Sequence, residues 1–124
     1  MYEVTVHTVI SASHRLRGHQ GKCEKLHGHN WRIEATAGAE ELDALGMVVD
    51  FSVFRQLLKE ATASFDHTDL NSLPEFERVN PSSENLAHIV FSRLKPRLHR
   101  GGVRLLRVRV WETEGAAAVY HEED

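Results

Sequence analysis

From Tyr2 to Leu16 the apolar side chains keep to even numbers: Tyr2, Val4, Val6, Ile10, Ala12 and Leu16. Glu3, Thr5, His7, Ser11, Ser13 and Arg15 hold the odd ones. A period of two sustained over such a run predicts an extended strand with one buried face, because a helix would scatter these residues around its circumference. The pattern returns on odd numbers from about His27 to Ala37, where Trp31, Ile33, Ala35 and Ala37 oppose Asn30, Arg32, Glu34 and Thr36. Between the two runs, Arg17 to Leu26 is polar and contains Gly18 and Gly21, which predicts a loop.

Three histidines fall on the two apolar faces. His27 and His29 point the same way because strand side chains repeat every two residues, and His14 faces with them if the strands pair antiparallel. A lone histidine on such a row is most simply a core side chain satisfied by a carbonyl. Three on matching faces can share an ion. Three neutral imidazoles leave one position open on a tetrahedral zinc, the arrangement of a catalytic site rather than a structural one. Cys23, four residues before His27, can then serve as a fourth ligand or as a base.

Composition narrows the class. The 124 residues suit a single domain, 1–124, with a thin core. A formal net charge of −3 gives no global field to attract nucleic acid, although Arg104, Arg107 and Arg109 mark one strand. No apolar run is long enough to span a membrane and no signal peptide is apparent, so the expectation is a soluble, cytoplasmic protein without membrane partners. One cysteine cannot form an internal disulfide and suits a reducing compartment. Nine histidines are the oddity.

The rest of the chain reads in order. Gly38 to Gly46 is a loop with acidic residues, and Met47-Val48-Val49 is short and apolar. Asp50 caps a helix over about Phe51 to Phe65, with Phe51, Phe54, Leu57, Leu58, Ala61 and Phe65 as its core stripe. Asp66-His67-Thr68-Asp69-Leu70-Asn71 reads as a loop whose Asp66 and His67 are either surface residues or an acid/base pair. Asn80 to Glu84 reads as a turn, with Ser82 capping a second helix that buries Leu86, Ile89, Val90 and Leu94 and is ended or kinked by Pro96. Gly101-Gly102 turns the chain into a strand from Val103 to Thr113, on which Leu106, Val108 and Val110 share a face with Glu112. A carboxylate continuing an apolar row is costly unless it sits at a solvated strand end or meets paired N–H donors. Ala116 to His121 is a short last strand, and Glu122 to Asp124 an acidic end expected to fray. The order ββααββ predicts an α+β fold, a four-stranded antiparallel sheet with two helices on one face. Its two free edges and bare second face would be protected by closing several sheets into an oligomeric barrel.

Taken together, Ile10 to Leu16, Cys23 to His29, Gly46-Met47-Val48-Val49-Asp50-Phe51, Asp66 to Asn71, Asn80 to Ala87 and Trp111-Glu112-Thr113 resemble the successive motifs of the 6-pyruvoyl-tetrahydropterin synthase family, in order through nearly the whole chain. The compact spacing from Cys23 to His27 is most similar to the bacterial 6-carboxy-5,6,7,8-tetrahydropterin synthases of the queuosine pathway. The resemblance implies the tunnelling fold, often as hexamers built from two trimers, with active sites assembled from more than one subunit. It implies zinc on His14, His27 and His29, Cys23 as base, Asp66 and His67 as a proton relay, and Glu112 gripping the pterin ring, with Glu84 near the pterin pocket. The implied substrate is 7,8-dihydroneopterin triphosphate, whose phosphates could meet Arg15, Arg17, Lys22 or Lys25. Two other outcomes stay open: the same fold making 6-pyruvoyltetrahydropterin without side-chain cleavage, and a non-catalytic module in which Cys23 closes the zinc site.

Overall fold

The computed structural model describes residues 1–19, 21, 24–99 and 101–122. Strands β1 (Tyr2–His14) and β2 (His27–Ala39) form an antiparallel pair in unbroken register from Tyr2 opposite Ala39 to His14 opposite His27. Helix α1 (Phe51–Thr62) follows, then the two-residue β3 (Thr68–Asp69), helix α2 (Ser83–Leu98), β4 (Arg104–Thr113) and β5 (Ala116–Tyr120). The sheet order is β3-β1-β2-β4-β5. Helix α1 packs over β1, and α2 over β4 and β5.

The even face of β1 and the odd face of β2 meet the helices, as the alternation predicts. Val6, Ile10, Ala12, Trp31, Ile33, Ala35 and Ala37 are buried there against Phe54, Leu58, Phe65, Leu86, Val90 and Leu94. Trp31 lies at the centre, with its indole N–H donating to the Ala12 carbonyl at 3.1 Å. The opposite face carries ion pairs, Glu3 with Arg107 and Glu34 with both Arg32 and Arg109.

Several boundaries differ from the sequence reading. The sheet has five strands and is mixed, because Thr68 and Asp69 pair parallel with Ala12 and Ser13; a two-residue polar edge strand has no periodicity to announce it. Strand β2 runs through Gly38 instead of ending at Ala37. A Cβ at Gly38 would stand 2.7 Å from both the Leu106 and Met1 side chains, so this glycine permits close packing rather than a turn. In β4, Leu105 rather than Leu106 joins Val108 and Val110 in the core. A shift in the β2–β4 register between Thr36 and Ala37 reverses the parity there. Helix α1 stops at Thr62 and tightens into a 3₁₀ turn over Ala63–Phe65, while Phe51 at its start is exposed. Helix α2 runs on through Pro96 to Leu98; Leu94 and Leu98 are both buried, and that packing outweighs the lost N–H. Of the acidic end expected to fray, Glu122 accepts from Lys95 Nζ and the Tyr120 hydroxyl, while Glu123 and Asp124 lie outside the described residues.

Both helix caps form as predicted, Asp50 accepting from the Val53 N–H and Ser82 from the Asn85 N–H. Arg93 on α2 locks the far side of the core. Its guanidinium donates to the Ala61 carbonyl, Ser64 Oγ and Glu75 and lies 4.4 Å over the Phe65 ring. Arg93→Ala is expected to lower stability by roughly 2–3 kcal/mol, because it removes the charged hydrogen bonds and the cation–π stacking at one stroke. Urea unfolding measures this, and an unchanged midpoint would contradict it.

Candidate metal centre

His14 ends β1 and His27 begins β2, so the two face each other directly across the ladder, and His29 lies opposite Ala12 two residues further on. The convergence is thus a consequence of register. His14 is almost fully buried, at 1% exposure, between the edges of Trp31, His27 and His29. Its Nδ1 lies 2.7 Å from the Pro81 carbonyl, and Nδ1 of His27 lies 2.6 Å from the Lys25 carbonyl. A carbonyl only accepts, so both Nδ1 atoms carry protons and both Nε2 atoms of the neutral rings present lone pairs.

Those two Nε2 atoms are 3.1 Å apart. Two lone pairs at that distance cannot hydrogen-bond, and a cation between them removes the conflict. Nitrogens at ~2.0–2.1 Å from a tetrahedral zinc stand about 3.3 Å apart, close to the separation found. His29 Nε2 is buried without a hydrogen-bond partner. Buried polar atoms are rarely left this way unless an ion or water completes them. The three nitrogens and a Glu112 oxygen all lie within 4.8 Å of one another. The donor set suits a metal, and imidazole with carboxylate suits zinc.

Glu112 reaches this group from β4. Its Oε1 is 3.3 Å from His29 Nε2 and its Oε2 3.8 Å from His14 Nε2. The β4–β5 pairing is irregular between Trp111 and Thr113, which is where Glu112 sits. Such irregularities re-aim a side chain at the end of a sheet. The sequence marked Glu112 as a carboxylate in need of partners; the pairing of β4 with β2, which brings it to the histidines, was the part not legible.

Burial lowers the pKa of His14 and His29 from the ordinary 6.5, against the opposing pull of the Pro81 carbonyl on His14 and of Glu112 on both. Below about pH 6.5 the unfolded chain therefore binds protons that the folded chain refuses, and stability falls as pH falls. Metal-free protein should show a lower urea midpoint at about pH 5.5 than at about pH 7.5. A midpoint that held or rose would contradict these two burial effects. Asp66 does not interfere, since its contribution is lost only as pH drops through a pKa held below 3.8.

The remaining described candidates are not among the four residues of this cluster. Asp66 accepts the Ser11 N–H at 2.9 Å, the main reason its pKa is lowered, and stands 3.0 Å from His67 Nδ1. His67 takes φ +55°, the one positive φ outside glycine among the described residues, and its side chain is 82% exposed. Such a backbone in a non-glycine residue is held only where the surroundings impose it, and here its N–H donates to the Ser11 carbonyl at 2.6 Å. His67 and His29 line one open cleft of about 440 Å³ with Ser11, Ser13, Asn30 and Asp69. Glu84 is exposed in the first turn of α2. Cys23 and Lys22 lie outside the described residues. Arg17 is taken up by the Phe76 and Val79 carbonyls, whereas Arg15 and Lys25 are exposed. The Pro81 carbonyl that orients His14 was missed, because a main-chain acceptor leaves no mark in side-chain chemistry.

The family model described as 6-pyruvoyl tetrahydropterin synthase matches residues 3–123. A chain from Archaeoglobus fulgidus, named provisionally as a 6-carboxy-5,6,7,8-tetrahydropterin synthase, is 38% identical over 111 residues, 90% of this chain and 88% of its own. The 6-carboxy-5,6,7,8-tetrahydropterin synthase of Rickettsia typhi is 33% identical over 115 residues, 79% of this chain and 83% of its own. The structure of Caenorhabditis elegans 6-pyruvoyl tetrahydropterin synthase superposes with a TM-score of 0.81 at 28% identity, covering 99% of this chain and 98% of that one. No helix among the described residues is long and apolar enough to cross a membrane.

Proposed function

This chain belongs to the 6-pyruvoyl tetrahydropterin synthase family, and on that premise we propose that it is a zinc-dependent lyase converting 7,8-dihydroneopterin triphosphate to 6-carboxy-5,6,7,8-tetrahydropterin, with release of acetaldehyde and triphosphate, on the route to queuosine. The observation that carries this reading is the convergence of His14, His27 and His29, with the buried Nε2 of His29 making no hydrogen bond. These three residues would hold the zinc. Bound there, the ion supplies Lewis acidity, polarising and acidifying the side-chain hydroxyls of the substrate.

The chain's own residues do the rest. Cys23, as thiolate, removes a proton from the side-chain carbon next to the ring, a role that needs a thiol pKa lowered by a nearby cation. His67, oriented by Asp66 at 3.0 Å, moves protons on the other side. Glu112 accepts two hydrogen bonds from the pterin amino and ring N–H groups, for which a carboxylate has the right pair of acceptors. Its place beside His29 supports a pocket in which the pterin grip and the metal site adjoin. Glu84 borders the pterin pocket. Arg15, Lys22 and Lys25 remain as contacts for the triphosphate, since Arg17 is committed to main-chain carbonyls. The exposure of His67 favours a site completed by a second copy of the chain, in a homo-oligomer of two trimers closed as a barrel; light scattering tests that assembly.

The test is product analysis. Zinc-loaded protein given 7,8-dihydroneopterin triphosphate should release acetaldehyde and triphosphate in equal amounts. Triphosphate without aldehyde would instead support the pyruvoyl-forming reaction, the activity in the name of the C. elegans structure. Neither product from a zinc-loaded sample would leave the closed-site module as the better account.

A further inference from the structure

On the edge of β1 away from β2, the main-chain groups of Ser11 are met from the segment around β3. The Ser11 N–H donates to Asp66 Oδ1 at 2.9 Å and the Ser11 carbonyl accepts from the His67 N–H at 2.6 Å. Ser13 lies opposite Asp69 of β3. Beyond His14 the strand ladder stops, and side-chain amides continue it. Asn71 accepts the Arg15 N–H at 2.8 Å and donates Nδ2 to the Arg15 carbonyl at 3.1 Å. Asn80 repeats this on Arg17 at 2.9 and 3.0 Å. A primary amide holds an acceptor and a donor side by side, as a strand residue does, whereas an ionised carboxylate has no donor to offer.

Asn80 does something further. Its own carbonyl accepts from Asn85 Nδ2 at 2.8 Å, and the next carbonyl, that of Pro81, accepts the Nδ1–H of His14 at 2.7 Å. One residue thus ties the main chain three positions past His14 to the turn that orients the His14 ring. The Arg17 guanidinium reinforces the tie through the Phe76 and Val79 carbonyls. The Pro81 carbonyl in turn decides which nitrogen of His14 is protonated and so which lone pair faces His27 and His29.

We propose that Asn80, assisted by Asn71, is a positioning residue for His14: by clamping Arg17 it sets the Pro81 carbonyl that presents Nε2 of His14 to the other two imidazoles. This rests on the metal-site reading above. The experiment compares wild type with Asn80→Ala and Asn80→Asp, with Arg93→Ala as a variant destabilised elsewhere. Histidine-ring ¹⁵N NMR of the metal-free proteins should show the Nδ1–H tautomer of His14 in wild type and Arg93→Ala, and a mixture in both Asn80 variants. Zinc affinity, by competition with a chromogenic chelator, should fall about tenfold in the Asn80 variants, the lower end for an outer partner of a metal ligand. Folded Asn80 variants with the wild-type tautomer and affinity would overturn the proposal. If they do not fold, Asn71→Ala, which removes the companion clamp on Arg15, is combined with Arg17→Ala, which removes the guanidinium tie to the Phe76 and Val79 carbonyls, and read by the same two measurements; wild-type tautomer and affinity in that folded double variant overturn the proposal equally. A wild-type protein that binds no zinc would sink the proposed function instead, while the tautomer of the metal-free protein still decides the role of Asn80.

Discussion

Replacing Cys23 with alanine should lower turnover of 7,8-dihydroneopterin triphosphate by about 10²–10⁴-fold, the usual range for a positioned general base, and leave the zinc content unchanged. The two halves of this expectation have different grounds. Retention of zinc follows from the donor count: His14, His27 and His29 converge with their ring nitrogens within 4.8 Å of one another, and three protein ligands suffice for a catalytic zinc, so a thiolate is not needed to hold the ion. Loss of turnover follows from the proposed role, because Cys23 is the one thiol in the sequence. Metal analysis and a triphosphate-release assay on one variant preparation read both. Zinc lost along with activity would mean that the sulfur is a ligand, and the catalytic reading would fail.

His14→Ala should do damage of two kinds. Zinc affinity should fall by more than the 10–100-fold typical of an outer partner, since a ligand itself is removed. Metal-free stability should also fall, by roughly 2–3 kcal/mol, because the ring fills a buried site against Trp31, His27 and His29 and leaves a cavity. His29 is less enclosed, so His29→Ala should lose zinc as severely but cost less stability. Chelator competition and urea unfolding separate the effects. A His14→Ala protein that kept wild-type zinc affinity would show the three histidines to be a packing cluster.

How far the sequence could be read depended on the kind of signal each feature leaves. Two-residue alternation named the buried faces of β1 and β2, and with antiparallel pairing it already brought His14, His27 and His29 together. The caps Asp50 and Ser82 were legible because their side chains do the capping. The breaks in register were not. Nothing local distinguishes Thr36-Ala37, where a shift puts Leu105 in the core and turns Leu106 away. Strand β3 and the two amide clamps were invisible for a related reason. Asp66, Asn71 and Asn80 stand in sequences that read as turns, and their work is on main chain more than fifty residues away. Pro96 misled in the opposite sense: local propensity says stop, and the packing of Leu94 and Leu98 carries the helix on.

The account turns on what surrounds the metal. X-ray absorption at the zinc edge of the loaded protein should show three histidine nitrogens at about 2.0–2.1 Å, oxygen as the remaining neighbour, and no sulfur. A zinc–sulfur distance near 2.3 Å, or fewer than three imidazoles, would contradict it.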